Sequence, residues 1–210
     1  MKRILILLLM TGLLFSCSAS MPAGARQENA GQPAVLTVGH TTMLSGNFFS
    51  DLWGNNTADI DVRSLLHEYP LIAQTQAGDY QLNRTVVDQV DKETEKNGDV
   101  TYRVTIKKGL RFSDGSPIGA RDYVFSFLLL SSPHVRSLTG LTPSYAYIDG
   151  FDRYHAGLSE QLSGLHLIDD HTFTLRIKGA YLPYYYEMAY ISINPYPISV
   201  ILPNARVMDD

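Results

Sequence analysis

The segment most informative about the fold is Lys107-Lys108-Gly109-Leu110-Arg111-Phe112-Ser113-Asp114-Gly115-Ser116-Pro117-Ile118-Gly119-Ala120-Arg121-Asp122-Tyr123-Val124-Phe125-Ser126-Phe127. In its first half, Ser113-Asp114-Gly115 predicts a turn, because glycine adopts positive φ without strain. In its second half, Gly119 suits the N-cap of a helix and Asp122 suits the positive end of the helix dipole. The stretch therefore predicts a turn followed directly by a helix.

The predicted helix has one apolar face and a defined end. Val124, Phe127 and Leu128 recur at helical spacing. The helix ends at Ser131-Ser132-Pro133, since proline disfavours helical backbone at the residue before it.

Period-two patterns on both sides of this stretch predict strands. Apolar and polar residues alternate over residues 100–106, which indicates a half-buried strand. Alternation over residues 165–168 and again over 173–177, with Asp169-Asp170-His171 between them, predicts a β-hairpin.

The region upstream contains further predicted elements. Residues 35–38 predict a buried strand that ends at a Gly turn, and residues 41–50 predict a loop. Within residues 59–69, Ile60, Val62, Leu65 and Leu66 predict a short amphipathic helix that closes before Pro70. Residues 86–90 predict another strand.

Residues 107–127 resemble the signature of the family 5 extracellular solute-binding proteins, the peptide, dipeptide and nickel group. The matching positions are Lys107-Lys108-Gly109, Asp114-Gly115, Pro117 and Asp122. Stretches at 150–152, 162–165 and 182–187 resemble later parts of the same family, so the resemblance covers about residues 35–203. A Ser-Trp-Glu-like stretch that members usually carry is replaced in residues 80–98 by a sequence without Trp, which leaves the ligand open.

The resemblance implies an α/β fold of the periplasmic-binding-protein type (class II, peptide-binding type). It implies that residues 35–57 and 165–210 are parts of lobe I, and that residues 58–164 form an inserted α/β subdomain that carries the signature. The strand at 35–38 is expected to share a sheet with the strands after residue 165. Because family members are much longer, the resemblance also implies that the fold is incomplete and lacks its second lobe.

The N-terminal residues predict an exported lipoprotein. Lys2-Arg3 is followed by an apolar run from Ile4 to Phe15, the length of a signal-peptide core rather than of a membrane span. Leu14-Phe15-Ser16-Cys17 resembles a bacterial lipobox, which implies a signal peptide at 1–16 and a lipidated Cys17 that starts a flexible tether over 17–34. An ordinary secretory signal with an incidental Cys17 is the alternative.

Composition limits the classes of function. The 210 residues include 45% hydrophobic and 18% charged residues, so an ordinary core can form. The formal net charge of −4 becomes −6 once Lys2 and Arg3 are removed with the leader, which argues against binding to nucleic acid. The single cysteine excludes an intrachain disulfide.

No pattern of catalytic or metal-binding residues is recognisable in the sequence. His40, His67, His134, His155, His166 and His171 stand apart from one another and lack metal-ligand spacing. Asp169-Asp170 is interpreted as a turn rather than a catalytic pair. We therefore expect neither catalysis nor a cofactor or metal. Tyr184-Tyr185-Tyr186 is expected to pack at the rim of the core, with stacking on a ligand as the alternative.

Residues 41–49 are the best candidates for ligand contact, because the loop after the first strand lines the cleft in the family that the sequence resembles. The candidate residues are Thr42, Leu44, Ser45, Gly46, Asn47 and Phe48. Gly46 would let a peptide backbone approach, Asn47 could satisfy peptide amides and Phe48 could wall a pocket. The alternative for each is a plain surface residue.

The expected function is that of a monomeric, lipid-anchored protein outside the cell membrane that captures oligopeptides or a related small solute. Its expected partners are the peptide, the permease subunits of an ABC importer and the membrane that holds the lipid anchor. The alternatives are a truncated, non-functional piece of such a protein and an envelope hydrolase. With one lobe only, binding is expected to be weak and the cleft face to expose Phe48, Phe49 and residues 184–186.

Overall fold

The computed structural model describes residues 35–49, 52, 56–66, 69–140 and 145–208. Six strands are described, β1 Ile72–Gln74, β2 Tyr80–Leu82, β3 Val87–Thr94, β4 Val100–Ile106, β5 Leu165–Asp169 and β6 Thr172–Ile177. The described α-helices are α1 Thr57–Leu66, α2 Ala120–Ser131, α3 Val135–Thr139, α4 Phe151–His155 and α5 Ile198–Ile201. Two 3₁₀-helices cover Gly179–Tyr181 and Glu187–Ile191.

A four-stranded antiparallel sheet with the order β3-β4-β6-β5 holds most of the core. Its register places Val104 opposite Phe173 and Tyr102 opposite Leu175, so the apolar side chains of neighbouring strands share one face. These side chains are buried, and burial of each stabilises the fold by about 1.5–3 kcal/mol. The period-two patterns that predicted β4 and the β5–β6 hairpin are confirmed, as is the strand at 86–90, which extends to Thr94.

Helix α2 covers the apolar face of this sheet. The Tyr123 ring stacks on Phe173 with ring centroids 6.3 Å apart, and Phe127 lies at the same distance from Phe173. Val124 is buried, Leu128 is half-buried and the helix ends at Ser131. Both the predicted apolar face and the predicted helix end are thus confirmed.

Residues 107–119, called here the signature turn, connect β4 to α2 in the predicted manner. Asp114 accepts hydrogen bonds from the Ser116 N–H (2.8 Å) and hydroxyl (2.6 Å), and Gly115 has φ +86°. The Gly119 N–H then donates to Asp122 Oδ2 at 2.8 Å, and the Asp122 N–H donates to the Gly119 carbonyl at 3.1 Å, so the two residues form a reciprocal pair of hydrogen bonds at the start of α2. These hydrogen bonds explain why the stretch folds locally as its sequence predicts.

The hairpin turn between β5 and β6 also contacts the start of α2. The Ala120 N–H donates to the Asp170 carbonyl at 2.8 Å, and a Cβ built on Gly119 would meet the same carbonyl oxygen at 3.0 Å. Glycine therefore lets the turn approach the helix end closely. A separate two-stranded hairpin, β1–β2, was not predicted from the sequence.

The prediction of a strand at residues 35–38 is wrong. Residues 35–39 contain no secondary structure, and none of the described backbone hydrogen bonds involves them. A β-strand exists only where a partner's backbone groups pair with it. Strand β6 pairs with β4 and strand β5 pairs with β6, so the main sheet joins residues on both sides of the predicted boundary at 164. The division into lobe I and an inserted subdomain stays a prediction.

Candidate functional site

The candidate site is the segment of residues 42–48, called here the ligand loop. It has no regular secondary structure, and Gly46 has φ +89°. Thr42, Leu44, Ser45 and Gly46 are exposed, while Asn47 and Phe48 are half-buried. The loop is thus accessible along most of its length, as a contact with ligand requires.

Helix α1 follows the loop and buries charged rather than apolar residues. Asp59 is fully buried and Arg63 is 7% exposed, whereas Leu65 is 81% exposed and Leu66 is 62% exposed. The helix itself was predicted correctly within two to three residues at each end, but its predicted apolar face was wrong. The reason lies in its neighbour, which is the polar backbone of the ligand loop.

Several hydrogen bonds join α1 to the ligand loop. The Ser45 N–H donates to Asp59 Oδ1 at 3.0 Å, and the Ser45 hydroxyl donates to Asp59 Oδ2. Arg63 Nη1 donates to the Asn47 carbonyl at 2.9 Å. The Ser45 hydroxyl, followed by the backbone N–H groups of Ser45 and Gly46 and the charge of Arg63, lowers the pKa of Asp59 below its ordinary value.

Asn56 links the same loop to the start of α1. Its Oδ1 accepts the Ala58 N–H at 2.8 Å, as an N-capping side chain does, and its Nδ2 donates to the Met43 carbonyl at 2.7 Å. The ligand loop is therefore bound to Asn56 near its start, at Met43, and to Arg63 near its end, at Asn47.

The downstream end of the ligand loop borders a pocket of about 420 Å³. Its walls come from the loop end, the end of α1, the signature turn and the segment before α5, and they comprise Phe48, Phe49, Leu66, Tyr69, Arg111, Phe112, Ser113, Asp114, Asn194, Pro195, Tyr196, Pro197 and Val200. Neither the signature turn nor residues 194–200 were predicted from the sequence to lie in this region. Their large separation along the chain gave no signal for it.

The tyrosines at 184–186 lie at the surface rather than in the core. Tyr184 is 45% exposed, Tyr185 86% and Tyr186 39%, and the Tyr185 and Tyr186 rings meet edge to face at 4.7 Å. Phe49 is 50% exposed, as expected for an open face, whereas Phe48 is half-buried. The tyrosines pack on one another at the surface, and the Tyr184 ring also lies against Tyr190, with ring centroids 5.1 Å apart.

The histidines that the structure describes are separate and make local contacts. His155 Nδ1 lies 3.1 Å from the Ser131 carbonyl, His166 Nε2 lies 2.9 Å from the Ser163 carbonyl, and His40 Nε2 lies 3.3 Å from Asp61 Oδ2. Within the described ranges, no group of three or more His, Cys, Asp or Glu side chains is placed to hold a metal ion.

Some predicted features lie outside the described residues. These are the leader at 1–16, Cys17, the tether up to residue 34 and His67. Among the helices that the structure describes, none is long and apolar enough to cross a bilayer.

A protein whose sheet, signature turn and helix have this arrangement belongs to the class of extracellular solute-binding proteins, as comparison with known families shows. The sequence model described as "Bacterial extracellular solute-binding proteins, family 5 Middle" matches residues 85–207, which is more than half of the chain. The chain therefore belongs to family 5 of these proteins.

Curated relatives match shorter segments. The periplasmic oligopeptide-binding protein OppA of Salmonella typhimurium is 30% identical over 98 residues, which cover 46% of this chain and 18% of the relative. The oligopeptide-binding protein OppA of Lactococcus lactis subsp. lactis is 42% identical over 65 residues, which cover 31% of this chain and 11% of the relative. These matches span less than a fifth of each relative's length.

Solved structures share the fold. Listeria monocytogenes OppA bound to peptide has a TM-score of 0.58 at 16% identity, and the match covers 74% of this chain and 29% of that protein. The predicted fold class, an α/β fold of the periplasmic-binding-protein type of which the chain covers a part, is confirmed.

Proposed function

We propose that this protein is the solute-binding component of an ABC importer, which captures oligopeptides outside the cell membrane and delivers them to the permease. The observation that carries the proposal is the family match over residues 85–207. The substrate class follows from relatives named for oligopeptide binding in several bacteria. The function is binding without catalysis, as in those solute-binding relatives.

The ligand loop is the proposed contact with the peptide. Its exposed residues Thr42 and Leu44 carry backbone groups that can pair with the main chain of an extended ligand, and Gly46 leaves room for a close approach because it has no side chain. Phe48 borders the adjacent pocket and supplies an apolar wall. Residues 35–57 and 165–210 are proposed as parts of lobe I, and residues 58–164 as the inserted subdomain.

Peptide uptake tests the proposal directly. Deletion of the gene in its own host is expected to abolish uptake of a labelled pentapeptide pool, and the wild-type gene is expected to restore it. A gene that encodes Phe48→Ala should restore less uptake than one that encodes Tyr185→Ala. Phe48 borders the pocket at the ligand loop, whereas Tyr185 is an exposed aromatic residue that does not line it. Unchanged uptake of every peptide after deletion would contradict the proposed function.

We further propose that Cys17 carries the lipid that holds the protein at the membrane. The support is the Lys2-Arg3 start, the apolar run and the lone cysteine that ends Leu14-Phe15-Ser16-Cys17. The Cys17→Ser protein is expected in the soluble fraction or to remain unprocessed, while a Ser18→Ala control stays with the membrane. Detergent partitioning of Cys17→Ser like that of wild type would exclude the anchor.

A further inference from the structure

Helix α1 turns two opposite charges toward the ligand loop. Asp59 and Arg63 are four residues apart and therefore lie on one face of the helix. That face is buried, with Asp59 fully buried and Arg63 7% exposed. Buried charges are costly unless hydrogen bonds and an opposite charge satisfy them, so the groups that satisfy this pair are structurally important.

The ligand loop supplies those groups through residues 45–47. Ser45 donates its N–H and its hydroxyl to Asp59, the Gly46 N–H also hydrogen-bonds to Asp59, and the Asn47 carbonyl accepts from Arg63. Among the residues that the structure describes, none accepts a hydrogen bond from the buried Arg63 Nη2, and the Asn47 carbonyl is the acceptor that the structure shows for this guanidinium. The loop and the charged pair thus depend on each other.

Gly46 takes part in the same contact through its N–H, which hydrogen-bonds to Asp59. Thr42 and Leu44 are exposed, and Phe48 borders the pocket. Residues 45–47 therefore hold the loop on α1, and Thr42, Leu44 and Phe48 stand on either side of this contact.

We propose that Asp59 and Arg63 are positioning residues for peptide binding, which anchor residues 45–47 so that Thr42, Leu44 and Phe48 face the ligand. This inference rests on the proposed function. It assigns Ser45 and the Asn47 carbonyl to the support of the loop rather than to ligand contact. It also gives two residues of α1 a role in affinity although neither touches the peptide.

A double-mutant cycle tests the anchoring. Peptide affinity is measured by calorimetry with an equimolar pentapeptide pool for wild type, Ser45→Ala, Asp59→Ala and the double variant. Loss of hydrogen bonds to a charged group is expected to weaken binding by about ten- to hundredfold in Asp59→Ala. In the double variant the loss should be clearly smaller than the product of the two single losses. A Ser45→Ala cycle with Leu65→Ala should be multiplicative, because Leu65 is exposed and has no contact with the pair.

Two conservative variants separate positioning from general stability. Asp59→Asn keeps an acceptor for the Ser45 N–H and should retain more affinity than Asp59→Ala. Arg63→Lys keeps the charge and should retain more affinity than Arg63→Met. Melting temperatures of the conservative and truncated variants should differ far less than their affinities. Affinities that follow the melting temperatures would overturn the positioning role.

Hydrogen exchange separates failure of this inference from failure of the proposed function. The amides of Ser45 and Gly46 should lose protection in Asp59→Ala and keep it in Leu65→Ala, whether or not any peptide binds. Unchanged protection, or wild-type affinity in Asp59→Ala, would overturn the inference while peptide binding stands. Lost protection in a protein that binds no peptide would support the anchoring and refute the proposed function.

Discussion

Helices α1 and α2 differ in the kind of residue that each buries. Helix α2 buries Tyr123, Val124 and Phe127 against an apolar sheet, whereas α1 buries Asp59 and Arg63 against the backbone of the ligand loop. The first contact is stabilised by apolar area, which does not depend on direction. The second is stabilised by a few directed hydrogen bonds. The two regions should therefore respond differently to substitution and to pH.

The largest effect is expected in the apolar contact. Phe173 of β6 is fully buried and packs against the Tyr123 and Phe127 rings of α2. Phe173→Ala removes that burial and leaves a cavity, so we expect a loss of about 3–5 kcal/mol in the free energy of unfolding. Urea unfolding followed by circular dichroism measures it. The Tyr185→Ala control removes an aromatic ring that is 86% exposed and should change stability by less than about 0.5 kcal/mol.

A loss in Phe173→Ala no larger than that in Tyr185→Ala would mean that α2 is not held by apolar packing, and the comparison between the helices would not stand.

A smaller effect is expected at the start of α2, where the apolar region depends on one polar contact. Burial raises the pKa of Asp122, and its carboxylate accepts the Gly119 N–H at 2.8 Å. Asp122→Ala removes this acceptor and should lower stability by about 1 kcal/mol. Asp122→Asn keeps a neutral acceptor and should stay close to wild type in the same unfolding experiment. Equal losses in the two variants would show that the charge, not the hydrogen bond, matters.

Sequence patterns predicted the apolar region well because burial there follows periodicity. The alternation in β4 and the helical spacing of Val124 and Phe127 both describe faces that an apolar neighbour covers. The Asp-Gly turn and the contact of Asp122 with the start of α2 were predictable because the residues that form them are close in sequence. This part of the fold contains the family signature.

Periodicity failed where a polar neighbour decides which face is buried. In α1 the apolar residues Leu65 and Leu66 pointed to one face, but the hydrogen bonds of Ser45 and Asn47 bury another. Nothing in local spacing shows that a loop fourteen residues upstream donates to Asp59. The ligand loop could be named from the resemblance, whereas its anchors and its pocket required the structure.

The third prediction concerns the polar contact and should leave global stability nearly unchanged. Arg63→Met removes the hydrogen bond to the Asn47 carbonyl and the positive charge beside Asp59. Because stability is not uniform across a fold, we expect local opening of the loop rather than unfolding. Limited proteolysis should cut residues 42–48 several times faster than in wild type. The Leu65→Ala control on the same helix should be cut at the wild-type rate.

Cleavage of Arg63→Met and Leu65→Ala at equal rates would show that α1 is an ordinary surface helix without a specific role at the loop.

The smallest effect is a dependence of the loop on pH. Hydrogen bonds from Ser45 lower the pKa of Asp59 below the ordinary value of 3.8 that we assign to the unfolded chain. A lowered pKa means that the carboxylate stabilises the folded contact fully above pH 3.8 and loses this contribution as the pH falls from 3.8 through the lower folded-state value. The other titratable groups near this contact are Arg63 and the His40–Asp61 pair, whose atoms lie 3.3 Å apart. Hydrogen exchange of residues 42–48, corrected for intrinsic rates, should therefore show protection that is constant down to about pH 4 and decreases below it. Asp59→Asn should remove this step and Asp61→Asn should keep it, whereas a step that survives in Asp59→Asn would assign the transition to another carboxylate.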